Sequence, residues 1–255
     1  MTENTDHIYN ELYPSEELDD FISSYFEAKN LSKKHHHFSI CPDGYVKLII
    51  QLVKGKVVRF IMTGLWTKEL DIVTPPGVVS YGIRLKIIAP EYILHRDTKE
   101  TLNNTIPLDF NYLNFNTIEF TSFENVVKQI EAIFLKRLAL NKEIRPNRLR
   151  LSQLLYNTFG DIQAQEVAKQ IFWSHREINR YLNKYVGISL KKYLNVQKCY
   201  RAYLQIREGE FFPEKGFFDQ AHFIREVKKH TGQTPRTLYQ KQNDQFIQLK
   251  NIKKL

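Results

Sequence analysis

Cysteine is scarce: the 255 residues hold two, Cys41 and Cys199. They lie in different halves, form no CxxC pair and have no histidine at a ligand spacing. That excludes a disulfide framework and fits a reducing compartment. No uninterrupted apolar run approaches the roughly 20 residues of a membrane span. The opening residues are polar and acidic, without the basic start and apolar core of a signal peptide, so a cytoplasmic protein without a membrane partner is expected. G-x-S-x-G, a phosphate-binding loop, H-E-x-x-H and a dinucleotide fingerprint are all missing. The expectation is therefore a protein that is not an enzyme and has neither cofactor nor metal.

What is present is an asymmetry of charge. Residues 1–140 hold 15 Lys+Arg against 18 Asp+Glu, a net of −3, and residues 141–255 hold 22 against 10, a net of +12; together they give the overall +9. A basic half joined to a nearly neutral one suggests a module for a polyanion attached to a module for something else.

The basic half contains a repeat. Phe172–Tyr193 can be laid over Phe217–Leu238 at an offset of 45 positions, and each copy runs thirteen residues from a cap to a glycine, Ser174 to Gly187 and Asp219 to Gly232. Within those windows Ile178 matches Phe223, Arg180 matches Arg225, Leu182 matches Val227 and Lys184 matches Lys229. Such a self-match means one supersecondary unit built twice. In the first copy Ala164, Val167, Ala168 and Ile171 mark one helix face. Ser174-His175-Arg176-Glu177 then has the form of a capping box. Ile178, Tyr181, Leu182 and Tyr185 mark the second helix, and Gly187 stops it. Two helices joined by about three residues pack at a steep angle, which is a helix-turn-helix. The water-facing side carries His175, Arg176, Asn179, Arg180, Asn183 and Lys184, donors suited to guanine, adenine and phosphate. Ser189 is placed to cap a long helix from Leu190 to Arg207 that lacks Gly and Pro. At about 1.5 Å per residue it spans roughly 27 Å, enough to hold two reading helices about one DNA turn apart.

The second copy, Gly216 through Lys229 with Gly232-Gln233-Thr234-Pro235 behind it, resembles the signature of AraC/XylS-type transcription regulators, and the likeness covers about Leu151–Gln240. The resemblance implies a C-terminal all-α domain with two helix-turn-helix units joined by a long helix. It places base contacts at Arg176, Asn179 and Arg180 in the first unit and at Gln220, His222 and Arg225 in the second. His175, Lys184, Lys191, Lys192, Lys228 and Lys229 are then expected on phosphates, which set affinity and salt dependence. Double-stranded DNA is the implied partner; RNA polymerase, a small-molecule effector and a second copy of the chain are further candidates. Other readings stand beside these: ordinary solvation for each lysine, a local pair with Glu177 for Arg180 and with Glu226 for Arg225, and burial for His222. Trp173, Phe217 and Phe218 read as core. One departure is visible. Between Arg207 and Gly216, where the family has a helix, this chain has Gly209 and Pro213, which exclude a regular helix of more than a turn. Phe211 and Phe212 are candidates to fill the gap.

The N-terminal half reads differently. Residues 1–12 look loose, and Ser15 is a candidate cap for a helix with Leu18, Phe21, Ile22 and Tyr25 on its buried stripe. From Phe38 the pattern becomes β: Val46–Val53, Val57–Thr63, Leu70–Val73, Val78–Leu85 and a weaker Thr117–Phe120. Pro42-Asp43-Gly44 is a turn, and the segment Cys41–Tyr45 resembles a "PDG" element of a subset of the same regulators. Lys54-Gly55-Lys56 makes a hairpin turn, Pro75-Pro76-Gly77 a break, and Asn103–Asn116 reads as irregular. His35-His36-His37 reads as a strand start, since neighbours on a strand point to alternate faces. Ser122–Leu140 is a helix that either packs on its own sheet or pairs with a twin. The expected fold is α+β with two domains, a β-rich mixed domain with flanking helices over 1–140 and an AraC-like domain over 149–242. A linker over 141–148 joins them, and a basic tail follows over 243–255. The leading function is a sequence-specific DNA-binding transcription regulator. A non-specific nucleic-acid binder and a metal-dependent enzyme using His35–His37 and Asp43 are the alternatives.

Overall fold

The computed structural model describes residues 6–212 and 217–240. The N-terminal half is built on a six-stranded antiparallel sheet in the order β1-β2-β7-β4-β5-β8. Its strands are β1 (His7–Leu12), β2 (Ile22–Asn30), β4 (Val46–Val53), β5 (Lys56–Thr63), β7 (Val78–Leu85) and β8 (Thr105–Pro107). β3 (His36–Ile40) and β6 (Leu70–Thr74) pair separately. Leu48, Ile50 and Leu52 alternate into the core along β4, as a strand period of two requires. The β4–β5 hairpin turns through Lys54 and Gly55, both at positive φ.

Helix α1 (Ala89–Tyr92) is a single turn, and α2 (Phe123–Leu138) lies over the sheet. Ser122 caps α2 by accepting the Asn125 N–H at 3.2 Å. The apolar side of α2 (Phe123, Val126, Val127, Ile130, Phe134) is buried in the core of its own sheet, so that side is not free to pair with a twin. The C-terminal half is helical: α3 (Pro146–Thr158), α4 (Ala164–Ile171), α5 (His175–Tyr185), α6 (Leu190–Arg207), α7 (Gln220–Thr231) and α8 (Pro235–Gln240). The architecture is α+β, with a β-rich N-terminal half and an all-α C-terminal half.

Five local expectations are corrected. The helix proposed after Ser15 is only a 3₁₀ turn over Glu16–Leu18, and Ser15 makes no side-chain cap. Leu18, Phe21, Ile22 and Tyr25 are indeed buried, but from Ile22 onward the backbone is strand. Here β2 is hydrogen-bonded on both sides, to β1 and β7. Two ladders outweigh a weak helical spacing, and aromatic Tyr25 and Phe26 fit a strand. Residues 7–12 are therefore not loose. Thr117–Phe120 contributes no strand, whereas Thr105–Pro107 within the segment read as irregular does. Finally, α3 begins at Pro146, three residues before Leu149, because proline's fixed φ suits the first helical position.

The halves are not separate bodies of packing. Tyr45, Leu65 and Ile87 from the β-rich half belong to the same buried cluster as Leu151, Leu155, Leu182 and Tyr193. Cys41 joins Cys199, Tyr203, Phe223 and Val227 in a further one.

Candidate nucleic-acid interface

The first unit forms as its spacing demands. Helix α4 ends at Phe172 in the left-handed conformation (φ 56°), and the chain re-enters a helix through a complete capping box. The Glu177 N–H donates to Ser174 Oγ at 3.3 Å, and the Ser174 N–H donates to Glu177 Oε2 at 2.9 Å. Ile178, Leu182, Val167 and Ile171 bury the inner faces of α5 and α4. Trp173 packs edge-on to Tyr181 with ring centroids 5.8 Å apart.

The outer face of α5 presents His175, Arg176, Arg180 and Asn183, all exposed. Its one acid, Glu177, is held below the usual carboxylate range first by the Ser174 hydroxyl and backbone bonds, with the Arg180 charge a smaller cause. No ion pair joins Arg180 to Glu177 among the described residues. The face is therefore cationic, with its only carboxylate occupied in the helix cap. Lys191 and Lys192, exposed in the first turn of α6, extend the cationic surface.

Two residues expected on this face are engaged elsewhere. Asn179 is half-buried, and its Oδ1 accepts the Leu190 N–H at 2.9 Å. Ser189 makes no side-chain cap, so Asn179 supplies one of the acceptors that the start of α6 needs. Its side chain is a brace between α5 and α6. Lys184 lies over the Tyr185 ring and 3.7 Å from Asp97 of the β-rich half, so it faces the seam between the halves.

The second unit is less complete among the described residues. Asp219 caps α7 through the His222 N–H at 2.6 Å. Phe223 and Val227 point inward, and Gly232 ends the helix with φ 67°. Gln220, Arg225, Lys228 and Lys229 are exposed. Lys229 reaches Glu226 at 3.3 Å; Arg225 makes no such pair among the described residues. His222 is half-buried rather than core, and its Nδ1 accepts the Phe218 N–H at 3.2 Å. That bond ties the ring to its own turn. Among the described residues no helix separates α6 from α7. Phe211 contacts the Tyr239 ring, but Phe212 is 70% exposed and fills nothing. Phe218, expected in the core, is 93% exposed. Residues 213–216, including Gly216 of the sequence signature, and the basic tail over 243–255 lie outside the described residues.

The β-rich half grips the far ends of α5 and α7. The Thr98 hydroxyl donates to the carbonyl of Tyr185, the last residue of α5. Gly187 sits against Leu102 and Lys99, and Gly232 against Glu69. At the centre of the seam Tyr193 and Tyr156 donate to the Gly44 carbonyl at 3.2 and 3.4 Å, and Tyr156 accepts the Ile87 N–H at 3.0 Å. Burial pushes both phenols up, so they remain neutral donors. Gly44, at φ 82°, holds a backbone conformation that a side chain would strain, and an added Cβ would fall 2.3 Å from Gln197 Nε2. These contacts answer to no local pattern in the sequence; only the "PDG" turn that carries Gly44 gave a signal. Asp43 in that turn is buried and pairs with buried Lys47 at 2.8 Å. His36 of the histidine run meets His7, Nδ1 to Nδ1, at 2.8 Å. No group of three or more metal-binding side chains forms among the described residues. No described helix is long and apolar enough to cross a membrane.

Comparison with known proteins gives limited likenesses. A family model described as a domain of unknown function (DUF6597) matches residues 10–107. No curated protein matches the chain. Among solved structures, ToxT from Vibrio cholerae (P21 form) aligns over 92% of this chain and 98% of its own, with 10% identity and a TM-score of 0.44. ToxT of strain O395 bound to (E)-4-(8-methylnaphthalen-1-yl)but-3-enoic acid gives 13% identity over 92% of this chain and 98% of its own, with a TM-score of 0.42. Unsaturated fatty acid bound wild-type ToxT from strain SCE256 gives 10% over 94% and 97%, with a TM-score of 0.41. At such identities the likeness says nothing about individual side chains.

Proposed function

We propose that this chain is a sequence-specific DNA-binding transcription regulator of the AraC/XylS type, acting in the cytoplasm. The observation that carries this reading is the outer face of α5, which presents exposed Arg176 and Arg180 beside His175, its one carboxylate tied into the helix cap. A capped helix set across a short turn and bearing arginines near its start is built to enter a major groove, where Arg pairs bidentately with guanine. Lys191 and Lys192 lie where they meet phosphates. Helix α7 adds Gln220 and Arg225 as readers and Lys228 and Lys229 as phosphate partners. The domains run over 1–140 and 149–242 with a linker between, and the grip of the first on α5 and α7 is the route by which it sets their presentation. A small-molecule effector, RNA polymerase and a second copy of the chain are the partners this reading adds to DNA.

The test is selection of binding sites from a genomic DNA library by the purified chain and by an Arg176→Ala, Arg180→Ala double variant. One enriched motif that the double variant loses supports the reading. Two read segments about one turn apart would show that α7 engages as well as α5. Salt-sensitive binding with no enrichment in either protein would replace it with a general nucleic-acid binder.

A further inference from the structure

A cleft of about 480 Å³ opens where the β-rich half, the segment 141–145 and the end of α5 meet. Glu91, His95, Lys142, Arg145 and Arg148 line it, with Tyr185, the last residue of α5, at its edge. That volume falls within the roughly 300–1,000 Å³ of small-ligand sites. We propose that this cleft binds a small organic oxyanion, a carboxylate- or phosphate-bearing metabolite, and thereby ties the β-rich half to the first reading helix.

The charge inventory supports an anion. Two carboxylates face the cleft, and one of them, Glu91, is already spent in a close pair with Arg148. Lys142 and Arg145 are exposed, and neither has an ion-pair partner among the described residues. Glu143 is the one opposing charge left. The His95 Nδ1 lies 3.1 Å from Arg137 Nη2. A guanidinium only donates, so Nδ1 is the acceptor in this contact. His95 is also held at φ 52°, an uncommon backbone state for a residue with a side chain. The cleft thus offers two free cations, the groups that hold an oxyanion by charge-assisted hydrogen bonds.

Its position gives occupancy a consequence. The Arg145 N–H donates to the Tyr92 hydroxyl at 3.0 Å, so the segment 141–145 is already latched to the β-rich half. The Tyr185 carbonyl is held by Thr98. A bound anion drawing Lys142 and Arg145 onto the cleft would tighten the same joint and stiffen the seat of α5. This consequence rests on the DNA-binding reading; the binding itself does not.

The experiment is isothermal titration calorimetry of the full chain with inorganic phosphate and, separately, with citrate, at fixed pH and ionic strength. The expected result is saturable binding at one site by at least one probe, and the probe that binds fixes the ligand class. Arg145→Gln should weaken it about tenfold or more, the size of a lost charge-assisted hydrogen bond. Glu143→Gln should tighten it. Arg145 and Glu143 are exposed and neither side chain is buried in a core, so both variants should melt like the parent. An Arg176→Ala, Arg180→Ala variant should bind the probe as the parent does. Absence of saturable binding, equal binding by Arg145→Gln, or loss of binding only in the α5 variant would overturn the proposal. None of these readouts involves DNA, so failure of the DNA-binding reading would leave them untouched.

Discussion

Replacing Tyr156 by Phe removes one hydroxyl from the seam, and its effect can be worked out atom by atom. That hydroxyl accepts the Ile87 N–H at 3.0 Å and donates to the Gly44 carbonyl at 3.4 Å. The carbonyl keeps a donor, because Tyr193 also reaches it at 3.2 Å. The Ile87 N–H does not: Ile87 is 2% exposed, so a buried amide is orphaned. Leaving such a group unpaired costs about 1–3 kcal/mol. With a denaturant slope of roughly 3 kcal/mol per molar for a chain of this size, a loss of about 2 kcal/mol lowers the urea midpoint by about 0.7 M. Tyr181→Phe is the internal control. That ring is equally buried, but its hydroxyl has no partner among the described residues, so removing it should be neutral or stabilising by up to about 1 kcal/mol. Urea unfolding followed by circular dichroism measures both. Equal midpoints for the two variants, or Tyr181→Phe the less stable, would refute the view that the seam hydrogen bonds hold the halves together.

Other substitutions separate braces from readers. Arg180→Ala should weaken a mapped site by about 1–3 kcal/mol and relax discrimination at one base pair; unchanged binding in a competition assay removes it from the readers. Asn179→Ala should cost about 0.5–2 kcal/mol of stability by uncapping α6 and weaken all DNA sequences alike, whereas a loss confined to one base would restore Asn179 as a reader. Lys191→Ala should also weaken all sequences alike and reduce the salt slope by about one. His230 is buried beside Glu226, at 3.9 Å, and Lys229. Burial pushes its pKa below the ordinary 6.5, against the pull of Glu226. The unfolded chain therefore takes up this proton first. Stability is full above about pH 6.5 and falls as pH drops from there toward the depressed value. His230→Gln should flatten that part of a melting-temperature profile against pH; an unchanged profile would exclude His230 as its source.

The helical half was legible in the sequence because its determinants are local. A capping box needs only Ser174 and Glu177, a stop needs only Gly187 or Gly232, and an apolar period needs one turn of neighbours, so α4, α5, α6 and α7 follow from residues a few positions apart. The β4–β5 hairpin was legible for the same reason. Strand β2 was not, since Leu18, Phe21, Ile22 and Tyr25 fit a helical period until β1 and β7 claim both edges of the backbone. Nor was the chemistry of the outer helix faces fully local. The exposure of Arg176 and Arg180 follows from the helix period, but whether Asn179, Lys184 and His222 are free depends on Leu190, Asp97 and the Phe218 amide. The sequence by itself determined that two capped helices carry arginines on their outer faces. Only the tertiary structure decided which of those polar groups are spent on the protein's own backbone. It alone placed Tyr156, Tyr193 and Gly44 in one seam, because hydrogen bonds between residues more than a hundred positions apart leave no periodic trace in the chain.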